Sequence, residues 1–192
     1  MRKNRNQKPP RKMKPVFLVF CEGETEETYI NFLRQQYRLP VKVIPYVTRL
    51  SISPSIIQRH IQAEKIGPSD KITSFLMYDL DREEIAVKIA ACKNSISISS
   101  NPSVELWFLI HSSDQHASIL TDRCITALRK AASEWVDYKK GFLSNKQKTV
   151  LWNSRIIASE RAKLLPNGKN PSSSVYLLIA EMEKIRESGD GK

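Results

Sequence analysis

The chain has 192 residues, of which 41% are hydrophobic and 27% charged, and its formal net charge is +11 at pH 7. This composition predicts one soluble domain with a sizeable core and excludes a largely disordered chain. No apolar run approaches a membrane span and no hydrophobic signal stretch follows the basic N-terminus, so we expect a cytoplasmic protein without membrane contact. The three cysteines, Cys21, Cys92 and Cys124, form no C-x-x-C pair and predict buried thiols.

The N-terminal segment is strongly basic. Seven of its side chains are positive and none is acidic, and Pro9 and Pro10 favour an extended, mobile arm over residues 1–14. Such an arm either binds a polyanion such as nucleic acid or serves only as a solubilising tail, and the sequence leaves both open. We expect one domain over residues 15–187 and a flexible tail over 188–192. The basic residues are Arg2, Lys3, Arg5, Lys8, Arg11, Lys12 and Lys14.

The first clear element is the apolar run from Val16 to Cys21, which predicts a buried strand. The run ends in a turn at Glu22-Gly23, and Thr25 is placed to cap a helix that begins at Glu26. Glutamates in a first turn also suit the helix dipole. The stretch therefore predicts strand, tight turn and helix, with carboxylates crowded at the end of the strand. In an open α/β sheet, ligands and metals usually bind at that end.

The remaining chain alternates strand-like and helix-like segments, and its order predicts an α/β fold with a mainly parallel, four-stranded sheet flanked by helices. The part after the last predicted strand is helical. An aromatic and basic loop is expected at residues 135–142. Its residues Trp135, Tyr138, Lys139 and Lys140 either contact nucleic-acid bases and backbone or form a solvent loop pinned by the two aromatic side chains. Further strands are predicted at residues 41–47, 72–78 and 95–99, and further helices from 54 to a Gly-Pro stop at 67–68 and at 82–93, 104–111, 121–132 and 146–164, with a last one from about 173.

Acidic residues follow several of these strands. Glu22 follows the first, Asp79 and Asp81 follow the third, and Glu105 opens the helix after the fourth. Parallel strands place their carboxyl ends on one edge of a sheet, so these side chains are expected to converge. Clustered carboxylates repel one another unless a cation neutralises them, and oxygen ligands select Mg²⁺ or Mn²⁺. The alternative is that Asp81 merely caps the next helix and that Glu26 and Glu27 are surface acids that suit the helix dipole.

Five sequence segments together resemble the RloB family, and the resemblance extends from about residue 16 to 185. The aromatic residue that is usual in the Asn-Pro-x-Phe-Glu segment is replaced in this chain by Val104, a conservative packing change. The segments are Cys-Glu-Gly-Glu-Thr-Glu at 21–26, Tyr-Asp-Leu-Asp at 78–81, Ser-Asn-Pro-Ser-Val-Glu-Leu-Trp-Phe-Leu-Ile-His at 100–111, Tyr-Lys-Lys-Gly at 138–141 and Asn-Pro-Ser-Ser-Ser-Val-Tyr-Leu-Leu at 170–178.

The resemblance implies a Toprim-like fold and a metal-dependent nuclease that acts in bacterial phage defence or restriction, often with an ABC-type ATPase. By similarity to the Toprim pattern, Glu22, Asp79 and Asp81 would hold one metal ion. By similarity to OLD-type nucleases, Glu26 and Glu105 would help to hold a second. Further site residues implied by that similarity are Ser103 and one of two lysines, Lys139 or Lys140, between which the spacing does not choose.

Other functions stay open from the sequence. The chain is alternatively a nucleic-acid-binding subunit without catalysis, or a regulatory subunit of an ATPase partner. The substrate is DNA, RNA or tRNA, and a homo-oligomer is among the states that the sequence allows. His60 and His111 lie among apolar positions, so we expect packed histidines rather than metal ligands.

Overall fold

The computed structural model describes residues 16–39, 41–44, 51–64 and 72–190. The predicted arm over residues 1–14, with its seven nucleic-acid-binding candidates, lies outside the described residues. Residues 45–47 of the second predicted strand, the Gly-Pro stop at 67–68 and residues 191–192 of the predicted tail also lie outside them.

Strands and helices alternate along the first half of the described chain, and helices dominate the second half. The strands are β1 (Val16–Cys21), β2 (Val41–Ile44), β3 (Ile72–Met77), β4 (Ser95–Ser97), β5 (Ser100–Asn101) and β6 (Ser172–Ser173). The helices are α1 (Glu24–Tyr37), α2 (Pro54–Ala63), α3 (Glu83–Ala91), α4 (Val104–Leu109), α5 (Thr121–Ala131), α6 (Asn145–Asn153), α7 (Arg155–Lys163) and α8 (Tyr176–Asp190), with a 3-10 turn at Ser133–Trp135.

The sheet is parallel and has the strand order β2-β1-β3-β4. β1 pairs with β3 along its whole length, so Cys21 lies beside Met77 at the carboxyl ends of both strands. Three strands of four to six residues form the body of the sheet, and β4 adds only three residues along β3. The α/β class, the parallel sheet and the helical C-terminal part are as the sequence predicted.

Both faces of the sheet are buried, and alternate residues of β1 divide between two cores. Phe17, Val19 and Cys21 pack in the larger core with residues of α1, α4 and the C-terminal helices. Leu18 and Phe20 pack in the smaller core with residues of α2 and α3. Burial on both faces explains why β1 is a continuous apolar run rather than an alternating one.

Two element predictions in the C-terminal half were wrong. The helix expected over residues 146–164 is two helices, α6 and α7, which meet at Ser154. Ser172–Ser173 does not begin the last helix but pairs antiparallel with β5, because long-range pairing with Ser100 and Asn101 overrides the local helix signal. α8 then continues to Asp190, beyond the expected domain limit at residue 187. No helix in the described ranges is long and apolar enough to cross a membrane.

Candidate functional site

The turn between β1 and α1 brings two acidic side chains to the edge of the sheet. Gly23 is the N-cap residue of α1 in an extended conformation (φ −145°, ψ −175°), so the helix begins at Glu24, earlier than predicted. A Cβ atom on Gly23 would lie 3.2 Å from Oε2 of Glu26, so a glycine leaves room for that carboxylate. Glu26 is buried and Glu22 is half-buried.

Thr25 does not cap α1, contrary to the sequence prediction. Its Oγ1 accepts a hydrogen bond from the backbone N–H of Gly141 at 2.9 Å, across 116 positions of the chain. One turn further along α1, the hydroxyl of Thr28 donates to the carbonyl oxygen of Gly141, also at 2.9 Å. Both backbone polar groups of Gly141 are therefore bound by α1.

Asp79 joins the ends of β1 and β3 to the start of α4. Its Oδ1 accepts the backbone N–H of Val104 at 2.9 Å, and its own N–H donates a long hydrogen bond of 3.4 Å to Oε2 of Glu22. The Val104 N–H is one of the donors that a helix leaves unpaired in its first turn. Asp79 thus supplies, from a distant part of the chain, an acceptor for a donor in the first turn of α4.

Glu105 is fully buried at the start of α4 and has three partners. Ser103 donates its hydroxyl to Oε2 at 2.6 Å, and Tyr138 donates its hydroxyl to Oε1 at 2.9 Å. Nζ of Lys140 lies 3.6 Å from Oε1. Ser103 is at the N-cap position as predicted, but its hydroxyl binds Glu105 and makes no cap hydrogen bond. A buried carboxylate with this many donors is held in one orientation.

Lys139 and Lys140 lie in the same tight turn, but only Lys140 lies beside the pocket. The backbone N–H of Phe142 donates to the carbonyl oxygen of Lys139 at 3.3 Å, which closes the turn. Both lysines are exposed, but only Lys140 lines the acidic pocket and lies close to Glu105. The geometry therefore favours Lys140 over Lys139 as the lysine that the family resemblance left undecided.

These side chains surround a pocket of about 330 Å³ at the carboxyl ends of β1 and β3. Burial raises the pKa of Glu26 to about 7, and the negative charges of Glu105 and Glu22 contribute. Burial, followed by the charges of Glu26, Glu105 and Glu22, also raises the pKa of Asp79 well above its usual value. The pocket is lined by Glu22, Gly23, Glu24, Thr25, Glu26, Asp79, Val104, Glu105, Lys140 and Gly141.

The structure brings together four of the five predicted metal ligands. Glu22, Glu26, Asp79 and Glu105 share the pocket, whereas Asp81 is exposed and does not line it. The residues between β3 and α3 therefore do not turn both carboxylates of the Asp-x-Asp motif into this pocket.

Sequence reasoning missed the residues that tie the pocket together. Thr25, Thr28 and Gly141 have no spacing in the sequence that links them, and the sequence leaves open whether Tyr138 contacts a ligand or pins its loop. The glycine directly after the two lysines is the one local sign of a turn in the sequence, and in the structure its φ is positive (76°).

The donor chemistry of the pocket fits a hard divalent cation. All four acidic groups offer oxygen ligands. Burial, with a contribution from the neighbouring negative charges, raises the pKa values of Glu26 and Asp79, and a bound cation would lower them. The spacing is less favourable as it stands. Within the described ranges, no three His, Cys, Asp or Glu side chains lie close enough together to hold a metal ion.

The predicted aromatic and basic loop is anchored in the core by two of its aromatic rings, while most of its other side chains are exposed. Trp135 and Tyr138 are buried to at least 99% and pack around Phe108, with ring centroids about 6 Å apart. The Trp135 indole N–H donates to the hydroxyl of Ser112. Neither ring is available to stack on bases, and only Phe142 in this segment exposes its ring.

The two histidines of the apolar faces occupy structural positions. Nδ1 of His111 lies 2.7 Å from the carbonyl oxygen of Trp107, and burial lowers the pKa of this imidazole to about 4. Its Nε2 is the one buried side-chain nitrogen or oxygen in the described residues without a hydrogen-bond partner. His60 packs edge-on against Phe20. Neither histidine lines the acidic pocket, as the sequence predicted.

The fold and the pocket define an α/β protein with a carboxylate-lined site at the carboxyl edge of a parallel sheet. The chain belongs to the RloB-like protein family, whose model matches residues 17–182. The match covers most of the chain and confirms the resemblance found in the sequence. No curated protein and no solved structure gave a significant match.

Proposed function

We propose that this chain is a metal-dependent nuclease that hydrolyses phosphodiester bonds, and that the edge of its sheet is a Toprim-like site. The observation that carries the proposal is the convergence of Glu22, Glu26, Asp79 and Glu105 on one pocket with Lys140 at its rim. The family resemblance supports the same activity.

Glu22, Glu26, Asp79 and Glu105 would hold Mg²⁺ or Mn²⁺, with two ions as the family pattern implies. Bound there, such ions supply an activated water and neutralise charge on the phosphate. The protein's own part is to hold these carboxylates in fixed orientations. The Val104 N–H orients Asp79 and the Ser103 hydroxyl orients Glu105, while Glu26, whose pKa is raised to about 7, would have to be deprotonated to serve as a ligand.

Lys140 would offset negative charge that develops on the phosphate, because a fixed cation at the rim of a partly desolvated pocket stabilises such charge. Asp81 is the predicted ligand that the geometry supports least, since its side chain lies outside the pocket. We therefore expect substitutions of Asp79 and Asp81 to differ in effect.

The proposed biological setting is a bacterial phage-defence or restriction system in the cytoplasm, in which the chain acts with an ABC-type ATPase. This part of the proposal rests on the family resemblance alone. The substrate is DNA or RNA, with tRNA included. The net charge of +11 favours a polyanionic substrate of either kind.

A second candidate is a nucleic-acid-binding or regulatory subunit without catalysis of its own. It is favoured by the spacing of the acidic side chains, since no three potential ligands in the described residues form a ready-made metal site. Salt-dependent binding of RNA or DNA without cleavage would support this candidate.

The proposal is tested by incubating the full chain with plasmid, single-stranded DNA and total tRNA in Mg²⁺, Mn²⁺ or EDTA. Cleavage that requires the metal and falls at least about a hundredfold in Asp79→Asn is expected, because a lost ligand removes transition-state stabilisation. Glu83→Gln, an exposed acid on α3, is the matched control and should cleave normally. Binding without cleavage in every condition would replace the nuclease with the second candidate.

A further inference from the structure

The turn that carries Lys140 is bound to the protein on both sides. Before the turn, Tyr138 is buried, its hydroxyl binds Glu105, and its carbonyl oxygen accepts two hydrogen bonds from Arg129, at 2.9 Å and 3.2 Å. After the turn, Gly141 is bound through its N–H and its carbonyl oxygen to Thr25 and Thr28. Between these two attachments lies Lys140.

Gly141 is suited to this attachment because its backbone has a positive φ of 76°. A Cβ atom there would lie 2.8 Å from Oε2 and 3.3 Å from Cβ of Glu24, so only glycine approaches α1 this closely. The first turn of α1, which also carries Glu26, and the turn that carries Lys140 are therefore in direct contact.

The hydroxyls of the two threonines bind Gly141 in opposite roles, one as acceptor and one as donor. Thr25 is buried and accepts from the Gly141 N–H, while Thr28 donates to the Gly141 carbonyl oxygen. In an α-helix, residues three apart lie on the same face. This arrangement presents one acceptor and one donor to a single peptide segment of another part of the chain.

We infer that Thr25 and Thr28 are positioning residues, which hold Lys140 at the rim of the acidic pocket by binding both sides of Gly141. As a role in catalysis, this inference rests on the proposed nuclease function. The placement of Lys140 beside Glu105 is a claim about the protein without metal or substrate and is tested separately. The threonines act through the backbone of the turn and touch no reacting group.

The first arm of the experiment measures the attachment itself, without metal or substrate. Amide hydrogen exchange of Gly141 is followed by NMR in the full chain and in Thr25→Val. Loss of the acceptor is expected to speed exchange at Gly141 at least about tenfold, while exchange within β1 and β3 is unchanged. Thr126→Val and Thr149→Val are matched controls, since both hydroxyls bind carbonyl oxygens of their own helices. Unchanged Gly141 exchange in Thr25→Val would overturn the inference.

The second arm follows Lys140 by the NMR signals of ¹³C-methylated lysines, with Lys140→Arg used for assignment. In the protein without substitutions, and in Thr25→Ser, the Lys140 signal is expected to differ in chemical shift from the signals of fully solvated lysines. It should move back toward them in the Thr25→Val, Thr28→Val double variant. Thr28→Val alone, at a half-buried position, serves if the double variant does not fold. A Lys140 chemical shift that is the same with and without the two threonine hydroxyls would overturn the inference.

The third arm measures cleavage. Thr25→Val and Thr28→Val are each expected to lower kcat about tenfold with KM changed less than about twofold, since the charge on Lys140 is misplaced rather than removed. Thr25→Ser should restore kcat to within about threefold, which a general loss of packing would not. A normal kcat in a Thr25→Val protein whose Gly141 exchange is fast would overturn the positioning role. If the unmodified chain cleaves nothing, the nuclease proposal fails, and the first two arms still decide whether the threonines hold Lys140.

Discussion

Glu26 is the carboxyl group whose environment makes the clearest prediction for pH dependence. Burial and the neighbouring charges of Glu105 and Glu22 raise its pKa to about 7 in the folded protein, from an ordinary value of 4.5. The folded state therefore binds a proton at pH values where the unfolded state has released it. Without metal, the free energy of unfolding should fall as pH rises from about 4.5 to about 7 and then level off.

The substitution Glu26→Gln removes this titration and keeps the shape of the side chain. We expect it to raise the free energy of unfolding by about 2 kcal/mol at pH 8 without metal and to change it little at pH 4. Urea unfolding at the two pH values measures the difference. Equal effects at pH 4 and pH 8 would contradict the raised pKa of Glu26.

Gly141 and Gly168 form a matched pair for testing the contact between the Lys140 turn and α1. Both have positive φ, 76° and 74°, but a Cβ atom would meet Glu24 only at Gly141. Gly168→Ala is expected to cost about 1 kcal/mol for the backbone conformation. Gly141→Ala should cost about 1 kcal/mol more, because Glu24 must move. Thermal unfolding compares them, and equal costs would show that the close approach does not matter.

At the scale of elements, α1, α7 and α8 are joined by one polar cluster of Tyr37, Arg155 and Glu183. Oε1 of Glu183 accepts hydrogen bonds from Tyr37 at 2.6 Å and from Nε of Arg155 at 2.7 Å. The Arg155 guanidinium also stacks on Trp152, 4.0 Å from the ring centroid. Both charged side chains are 12% exposed, so water screens the pair only partly.

Arg155→Met should therefore lower the free energy of unfolding by about 2 kcal/mol, because it leaves a mostly buried carboxylate with fewer donors. Lys163→Met is the control on α7. Its ion pair with Glu160 is exposed and should be worth less than about 0.5 kcal/mol. Chemical denaturation measures both variants. A loss no larger for Arg155→Met than for Lys163→Met would rule out a stabilising role for the cluster.

Elements with a local signal were predictable from the sequence, and elements defined by distant contacts were not. β1 is a continuous apolar run because both faces of the sheet are covered, and β3 ends in the buried apolar residues Phe75, Leu76 and Met77. α2 begins at Ser53-Pro54, where the hydroxyl of Ser53 accepts the Ile56 N–H. β6 could not be predicted, since two serines form a strand only through pairing with β5.

At the scale of the whole molecule, the parallel order of β1 and β3 already implied that acids at their ends would meet. Glu22, Asp79 and Glu105 do line one pocket in the structure. The Lys140 turn was beyond sequence reasoning, since its place depends on hydrogen bonds to α1 across more than a hundred positions. The position of Asp81 outside the pocket also depends on how the chain turns after β3.

The central claim is that the pocket formed by Glu22, Glu26, Asp79 and Glu105 binds a divalent cation, and Mn²⁺ titration followed by electron paramagnetic resonance tests it most directly. At pH 8 we expect the full chain to bind Mn²⁺. We expect Asp79→Asn to weaken binding at least about tenfold and Glu83→Gln to leave it unchanged. Failure of the full chain to bind Mn²⁺ at millimolar concentration, or equal binding by Asp79→Asn, would contradict the account.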